Sequence, residues 1–176
     1  MFKKFYNTNE YALVTGAAGL LGKMHVEALL ETNANIIALD RDLKGLKNLK
    51  KFYEKKFKKN KIIIFKVDLT VEKQINLVKK KLIKKKIIPK ILINNAGNDP
   101  KVKKKNINLS FTRIENLNKK IWDDSININL YSYFLMIKNF GQLMAKHKKG
   151  VIINIASDLS QIAPNQNLYK LKNKSY

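Results

Sequence analysis

Tyr11-Ala12-Leu13-Val14-Thr15-Gly16-Ala17-Ala18-Gly19-Leu20-Leu21-Gly22 is the stretch that decides the fold. Its first residues are short, apolar and unbroken, the pattern of a strand buried on both faces. They run straight into a turn holding three glycines. From Gly19 to Leu30 the apolar residues fall at helical spacing, with Leu21, Val26, Leu29 and Leu30 available for one face. A strand, a glycine turn and a helix in that order present unpaired N–H groups and a partial positive charge at the turn. Glycines let the backbone bend tightly there and come close to a pyrophosphate. The anion–dipole attraction is worth only about 0.3–1 kcal/mol, so most of the phosphate affinity must come from direct N–H contacts. Glycine also ends strands and permits close helix packing, which is the structural alternative.

The same beat continues outward. Asn33 and Asn35 supply turn chemistry before Ile36-Ile37-Ala38-Leu39-Asp40. A lysine-rich helix over 43–58 leads to a strand over 62–67. A helix over 71–85 ends before Pro89, and the strand 91–94 follows. Residues 98–108 are polar and read as a surface loop. A long helix over 122–146 closes at Gly150, and the strand 151–155 comes last; after Ser157 the periodicity is lost. Five continuously apolar strands separated by four helical connections predict βαβ units, hence an α/β fold with a doubly wound parallel sheet in three layers. No repeat, linker or composition break divides the chain, so residues 1–176 read as one domain.

The 176 residues carry 36 Lys+Arg against 13 Asp+Glu, a net charge of +23, with 45% hydrophobic residues and no Cys. That apolar content is ample for a core and argues against disorder. Zero Cys excludes disulfides and thiolate metal sites, and His25 and His147 form no metal set or triad with each other. No apolar run approaches the roughly 20 residues of a membrane span, and the N-terminal residues lack a signal-peptide core. The expectation is a cytoplasmic domain with no membrane partner. Only Arg41 and Arg113 of the basic residues are Arg, and Asn and Ile number 21 each. Lys in place of Arg disfavours base and phosphate-fork recognition, and the Lys-Asn-Ile bias fits an AT-rich coding sequence. The runs 79–81, 84–86 and 103–105 therefore read as solvated helix faces. No specific nucleic-acid partner is expected, though salt-sensitive attraction to polyanions follows from such a field.

Asp40 ends the second strand 18 residues after Gly22, where a carboxylate can accept hydrogen bonds from adenosine ribose hydroxyls. It would repel a 2′-phosphate, which favours NAD over NADP. Arg41 beside it can pair with that phosphate and reverse the preference, and an Asp at a strand end can also be a helix cap.

With these residues the chain resembles the short-chain dehydrogenase/reductase family over its whole length. Val67-Asp68-Leu69-Thr70 is similar to the family's adenine-contacting segment, and Asn94-Asn95-Ala96-Gly97 matches its NNAG motif after the fourth strand. The glycine spacing TGxxGxxG departs from the commoner TGxxxGxG and is shared with extended relatives; NNAG and the short length point back to the ordinary type. The resemblance implies a Rossmann-like NAD(P)-binding domain. Its cofactor residues would be Thr15, Gly16, Gly19, Leu21, Gly22, Asp40, Arg41, Asp68, Leu69, Asn95, Ala96 and Gly97. It also implies a helix Asn, Asn129, that kinks the long helix and anchors a relay water. Ser157, delivered by Gly150-Val151-Ile152-Ile153-Asn154-Ile155-Ala156-Ser157, would hydrogen-bond the substrate oxygen as hydride moves.

The family next requires a Tyr acid/base and a Lys four residues on, because an unperturbed Tyr, with a pKa near 10, needs a nearby cation to work at neutral pH. Tyr169 lies 12 residues after Ser157, but four further on is Asn173. Tyr176 follows a longer loop, as in a subgroup of the family, and is the preferred assignment. On that reading the domain is incomplete at its C-terminus, lacking the Tyr-bearing helix and later strands, and the strand 151–155 is left as an uncovered edge. Full-length relatives pair as homo-oligomers beside that helix; the state of this chain stays open. Three readings follow: an oxidoreductase passing hydride between NAD(P) and a secondary alcohol or ketone, with a small-molecule substrate such as a sugar or nucleotide-sugar; a cofactor-binding remnant without turnover; and a basic polyanion-binding scaffold.

Overall fold

The computed structural model describes residues 9–98, 114–158 and 161–162. Its strands are β1 (Tyr11–Thr15), β2 (Asn35–Asp40), β3 (Ile62–Lys66), β4 (Pro89–Asn94) and β5 (Val151–Asn154). They form one sheet in the order β3-β2-β1-β4-β5, every pair parallel. The helices α1 (Leu20–Glu31), α2 (Leu43–Lys56) and α3 (Glu72–Lys84) and a long helix over 119–146 make the crossovers.

Strand alternation sorts the core into two layers. Ala12 and Val14 of β1 face α1 and α2, packing with Val26, Leu30, Leu46 and Leu49. Leu13, between them, faces the other way with Ile37 and Leu92, under Ile75 and Leu82 of α3 and Leu135 and Phe140 of the long helix. Helices therefore cover both faces, the expected αβα sandwich. Leu13 stands opposite Ile37 on one side and Leu92 on the other. The chain winds outward from β1 through β2 to β3, then returns to β4 on the other side. That reversal opens a crevice at the carboxyl ends of β1 and β4.

Three local expectations are corrected. Leu21 is 55% exposed and does not belong to the inner face of α1, which is Gly22, Val26 and Leu30. The helix starts at Leu20 with Gly19 as its N-cap, and only a residue without a side chain fits where position 22 meets the loop. Pro89 does more than stop α3: it is the first residue of β4, where a missing N–H is tolerated. The long helix begins at Lys119, not Trp122, because the Asn118 side chain caps it by accepting from the Ile121 N–H.

The long helix is not uniform. It contains two π turns, Asn127–Tyr131 and Ile137–Gly141. β5 is an outer strand, as anticipated, but only one of its faces is open. Ile152 packs into the layer under the long helix. Val151 and Ile153, in register with Ile91 and Ile93 on the α1 side, are 57% and 45% exposed. No helix that is long and apolar enough to cross a membrane occurs among the described residues.

Candidate functional site

β1 ends in a turn that only glycine can make. Gly16 has φ of 62°, and a Cβ there would come within 2.9 Å of the Ala96 Cα. A Cβ on Gly22 would lie 2.0 Å from the Gly16 carbonyl oxygen and 2.8 Å from the Ala17 Cα, both backbone atoms. The Gly19 N–H donates to the Gly16 carbonyl at 3.0 Å, and the Ala17 N–H to the Leu39 carbonyl at 3.1 Å, so the turn is stitched to itself and to β2. α1 then opens with no side chain capping it. Its leading N–H groups, including that of Leu21, have no partner within the helix and face the crevice end of β1. The Leu21 side chain is exposed, so its part in phosphate binding is that of its N–H.

Asp40, at the tip of β2, is not a helix cap. One carboxylate oxygen accepts from the Ala18 N–H in the glycine turn and the other from the Asp42 N–H, both at 2.9 Å. The cap of α2 is Asp42, which accepts from the Gly45 N–H. Asp40 thus positions the glycine turn as well as the rim of the crevice, and a carboxylate accepting two bonds retains lone pairs for further donors. Arg41 beside it is exposed. Asp68 closes a tight turn after β3, accepting from the Thr70 N–H at 2.9 Å and its hydroxyl at 2.7 Å. Leu69 is 4% exposed, its side chain in the core, which leaves only its backbone for a ligand.

The loop after β4 is bound to the glycine turn through one hydroxyl. Buried Thr15 accepts from the Asn95 N–H at 2.9 Å and the Ala96 N–H at 3.1 Å and donates to the Ile93 carbonyl at 3.3 Å. The Asn95 amide returns the contact, donating to the Thr15 and Gly16 carbonyls. Thr15, Gly16, Asn95 and Ala96 are therefore one unit across the switch point.

Asn129 sits inside the first π turn of the long helix, and its amide forms a reciprocal pair with Asn98: it accepts from the Asn98 N–H at 2.9 Å and donates to the Asn98 carbonyl at 3.1 Å. A π turn displaces one helical residue from the regular ladder, which lets this side chain reach the β4 loop. A Cβ on Gly97 would lie 3.1 Å from the Asn129 oxygen, so that loop also packs closely. Ser157 lies three residues beyond β5 at the same carboxyl edge, exposed, its hydroxyl 3.1 Å from an Asp158 carboxylate oxygen. Tyr169 and Tyr176 lie outside the described residues.

Two supports went unread in the sequence. The Asn94 amide donates to the Asn154 side chain at 2.8 Å, tying β4 to β5 at their tips. The clue was an Asn after a matching apolar run in both, Ile91-Leu92-Ile93 and Val151-Ile152-Ile153. The Tyr133 hydroxyl donates to the Ile155 carbonyl at 3.2 Å, and burial pushes its pKa up, so it works as a hydrogen-bond donor holding the end of β5. Nothing in the local sequence marks Tyr133.

Comparison with known proteins agrees with this geometry. The chain is 30% identical over 161 residues to an NAD-dependent glycerol dehydrogenase of Listeria innocua, covering 92% of this chain and 58% of that protein. It is 33% identical over 156 residues to the 3-oxoacyl-(acyl-carrier-protein) reductase FabG of Buchnera aphidicola, covering 88% and 58%. It therefore spans little more than half the length of these relatives. The fold superposes on the crystal structure of L-sorbose reductase from Gluconobacter frateurii, complexed with NADPH and L-sorbose, with a TM-score of 0.78 at 18% identity, covering 89% of this chain and 56% of that one. The short chain dehydrogenase family profile matches residues 10–170, and with nearly the whole chain inside that match, the protein belongs to the short-chain dehydrogenase family.

Proposed function

We propose that this chain supplies the cofactor-binding half of an oxidoreductase that moves hydride between NAD and a secondary alcohol or ketone. The observation that carries the reading is the convergence of the uncapped α1 terminus, the Asp40 carboxylate and the Thr15-linked Asn95-Ala96 loop at one switch point. A dinucleotide fits this cradle in kind. Gly16 and Gly22 keep the turn free of side chains, so the pyrophosphate can meet N–H groups directly. Asp40 accepts from ribose hydroxyls, which favours NAD over NADP, with Arg41 as the counterweight that a 2′-phosphate would use. The backbone at Asp68 and Leu69 borders the adenine. When bound, the cofactor supplies hydride chemistry.

The remaining roles belong to this chain's own side chains. Asn129 holds the β4 loop in place and offers its amide to a relay water. Ser157 donates its hydroxyl to the substrate oxygen and stabilises charge that develops there. Tyr176 is the acid/base of the reading, with Tyr169 as the competing assignment. The substrate is a small alcohol or carbonyl compound, with a sugar or nucleotide-sugar as the leading class.

Titration with NADH, followed by quenching of the single Trp122 and by enhancement of nicotinamide fluorescence, tests the cofactor half. Saturable binding at micromolar to millimolar concentration, abolished by Gly22→Ala, is expected. Absence of binding at millimolar NADH refutes the proposal. Stopped-flow oxidation of bound NADH with a panel of ketoses and small ketones then tests turnover separately.

A further inference from the structure

Asp40 is engaged on two sides by the chain itself. Its carboxylate oxygens accept from the Ala18 and Asp42 N–H groups, both at 2.9 Å. The side chain is therefore held against the glycine turn, and only its remaining lone pairs are offered to a ribose. Two cations flank it. Arg41 follows it in the chain, and Lys66, the last residue of β3, is its partner across the sheet.

The pairing fixes where Lys66 lies. Asp40 and Lys66 stand in parallel register, and neighbouring strands run about 4.8 Å apart. Ala38 belongs to the core layer under α1 and α2 and Leu39 to the opposite layer, so Asp40 rises on the α1–α2 side. In β3, Ile64 packs in the first layer and Phe65 in the second, which puts Lys66 on the same side as Asp40. Arg41 and Lys66 are both exposed, and among the described residues no carboxylate forms an ion pair with either. The nearby acids serve their own turns. Asp42 accepts from the Gly45 N–H, and Asp68 from the Thr70 N–H and hydroxyl.

A ribose that meets Asp40 carries its 2′ substituent into this group of charges. A 2′-phosphate there is repelled by one carboxylate, whose own charge is partly offset by two N–H donors. It is attracted by two cations that have no carboxylate partner. Arg41 alone would offset Asp40 charge for charge; Lys66 turns the sum in favour of the anion.

We infer that Lys66 is a specificity-determining residue: with Arg41 it holds the 2′-phosphate of NADP, so the cradle takes NADP as well as NAD. The inference rests on the dinucleotide reading of this site, and its test keeps the two apart.

The full chain is titrated in parallel with NADH and NADPH, followed by nicotinamide fluorescence. NADPH should bind within about tenfold of NADH, and Lys66→Gln should weaken NADPH alone by about threefold to fivefold. Lys66→Arg keeps the cation and should restore NADPH affinity. The side chain is exposed, so both variants should melt with the wild type. Lys80→Gln controls for the net charge of +23, which draws the more highly charged cofactor wherever it lies. Lys80 is exposed on α3, which covers the other face of the sheet, and its loss should leave the ratio of the two affinities in place. NADH binding without NADPH binding at millimolar concentration overturns the proposal and leaves the dinucleotide site standing. Equal loss of both affinities in Lys66→Gln, or the same loss of NADPH in Lys80→Gln, also overturns the proposal alone. Binding of neither cofactor overturns both.

Discussion

Replacing Thr15 by Val probes the joint on which the crevice is built. The side chains are nearly the same shape, so packing changes little. What is lost is the hydroxyl that accepts from the Asn95 and Ala96 N–H groups. Thr15 is fully buried, as is most of Ala96, so water cannot replace the acceptor. An orphaned buried N–H costs about 1–3 kcal/mol, and two of them about 2–5 kcal/mol together. The bond to the Ile93 carbonyl, at 3.3 Å, adds little. For a chain of this size, with about 2–4 °C per kcal/mol, the melting temperature should fall by about 5–15 °C. Thr15→Ser keeps the acceptor and loses one buried methyl, a cost of about 1 kcal/mol. Urea denaturation of wild type, Thr15→Val and Thr15→Ser, read by circular dichroism, separates the two effects. NADH affinity should fall with Thr15→Val, because both loops of the crevice lose their common anchor. If Thr15→Val lies within about 0.5 kcal/mol of Thr15→Ser, the hydroxyl does not bridge the loops and the reasoning fails.

Four further outcomes are expected. Gly22→Ala places a Cβ against the Gly16 carbonyl oxygen, so NADH affinity should drop more than tenfold with the far-ultraviolet spectrum intact, while exposed Leu21→Ala stays near wild type in the same titration. Asp40→Ala removes the carboxylate that disfavours a 2′-phosphate, so the ratio of NADPH to NADH affinity should rise; a ratio that falls or holds would assign Asp40 to the turn alone. Burial and then Glu27 push the Tyr53 pKa up to about 12, so the fold favours the protonated phenol. That contribution is whole below pH 10 and is lost as pH rises toward 12; in alkaline denaturation the wild type should show an extra loss of up to about 2 kcal/mol accumulating across that window, which Tyr53→Phe lacks. Trp122, Leu130 and Phe134 are exposed apolar side chains on the long helix, so Leu130→Lys should lower the fluorescence of an added hydrophobic-surface dye and leave NADH binding alone.

The sheet and its helices were readable because buried parallel strands are continuously apolar: Ile36–Leu39 and Leu92–Ile93 are almost wholly inside. The glycine turn was readable too, since a positive φ and backbone approach below 3 Å leave no other residue type at positions 16 and 22. The role of Asp40 was only half legible. Its place at a strand tip showed in the sequence, but its bonds to the Ala18 and Asp42 N–H groups depend on how the turn folds back over β2. The exposure of Leu21 was legible in the spacing but overlooked: five residues before Val26 is about 140° round a helix, off the face that Gly22, Val26 and Leu30 share at intervals of four. The first π turn was foreshadowed through the resemblance, which implied that Asn129 kinks the long helix. The residue pattern by itself reads as ordinary helix across both π turns, and the contact of Asn129 with Asn98 depends on the tertiary fold. Tyr133 was invisible because its partner is a main-chain carbonyl 22 positions away.

The open side of β5 bears on the order in which the sheet comes apart. β1 is hemmed in on both flanks and both faces, whereas Val151 and Ile153 meet solvent one strand beyond β4. Amide hydrogen exchange should therefore be graded, slowest in β1 and β2 and fastest in β5, with the Asn94–Asn154 side-chain bond as the first clasp to release. The dinucleotide cradle straddles that gradient, one wall on the most persistent strand and the other on the neighbour of the most labile. A bound ligand spanning both walls would slow exchange in β4 far more than in β1.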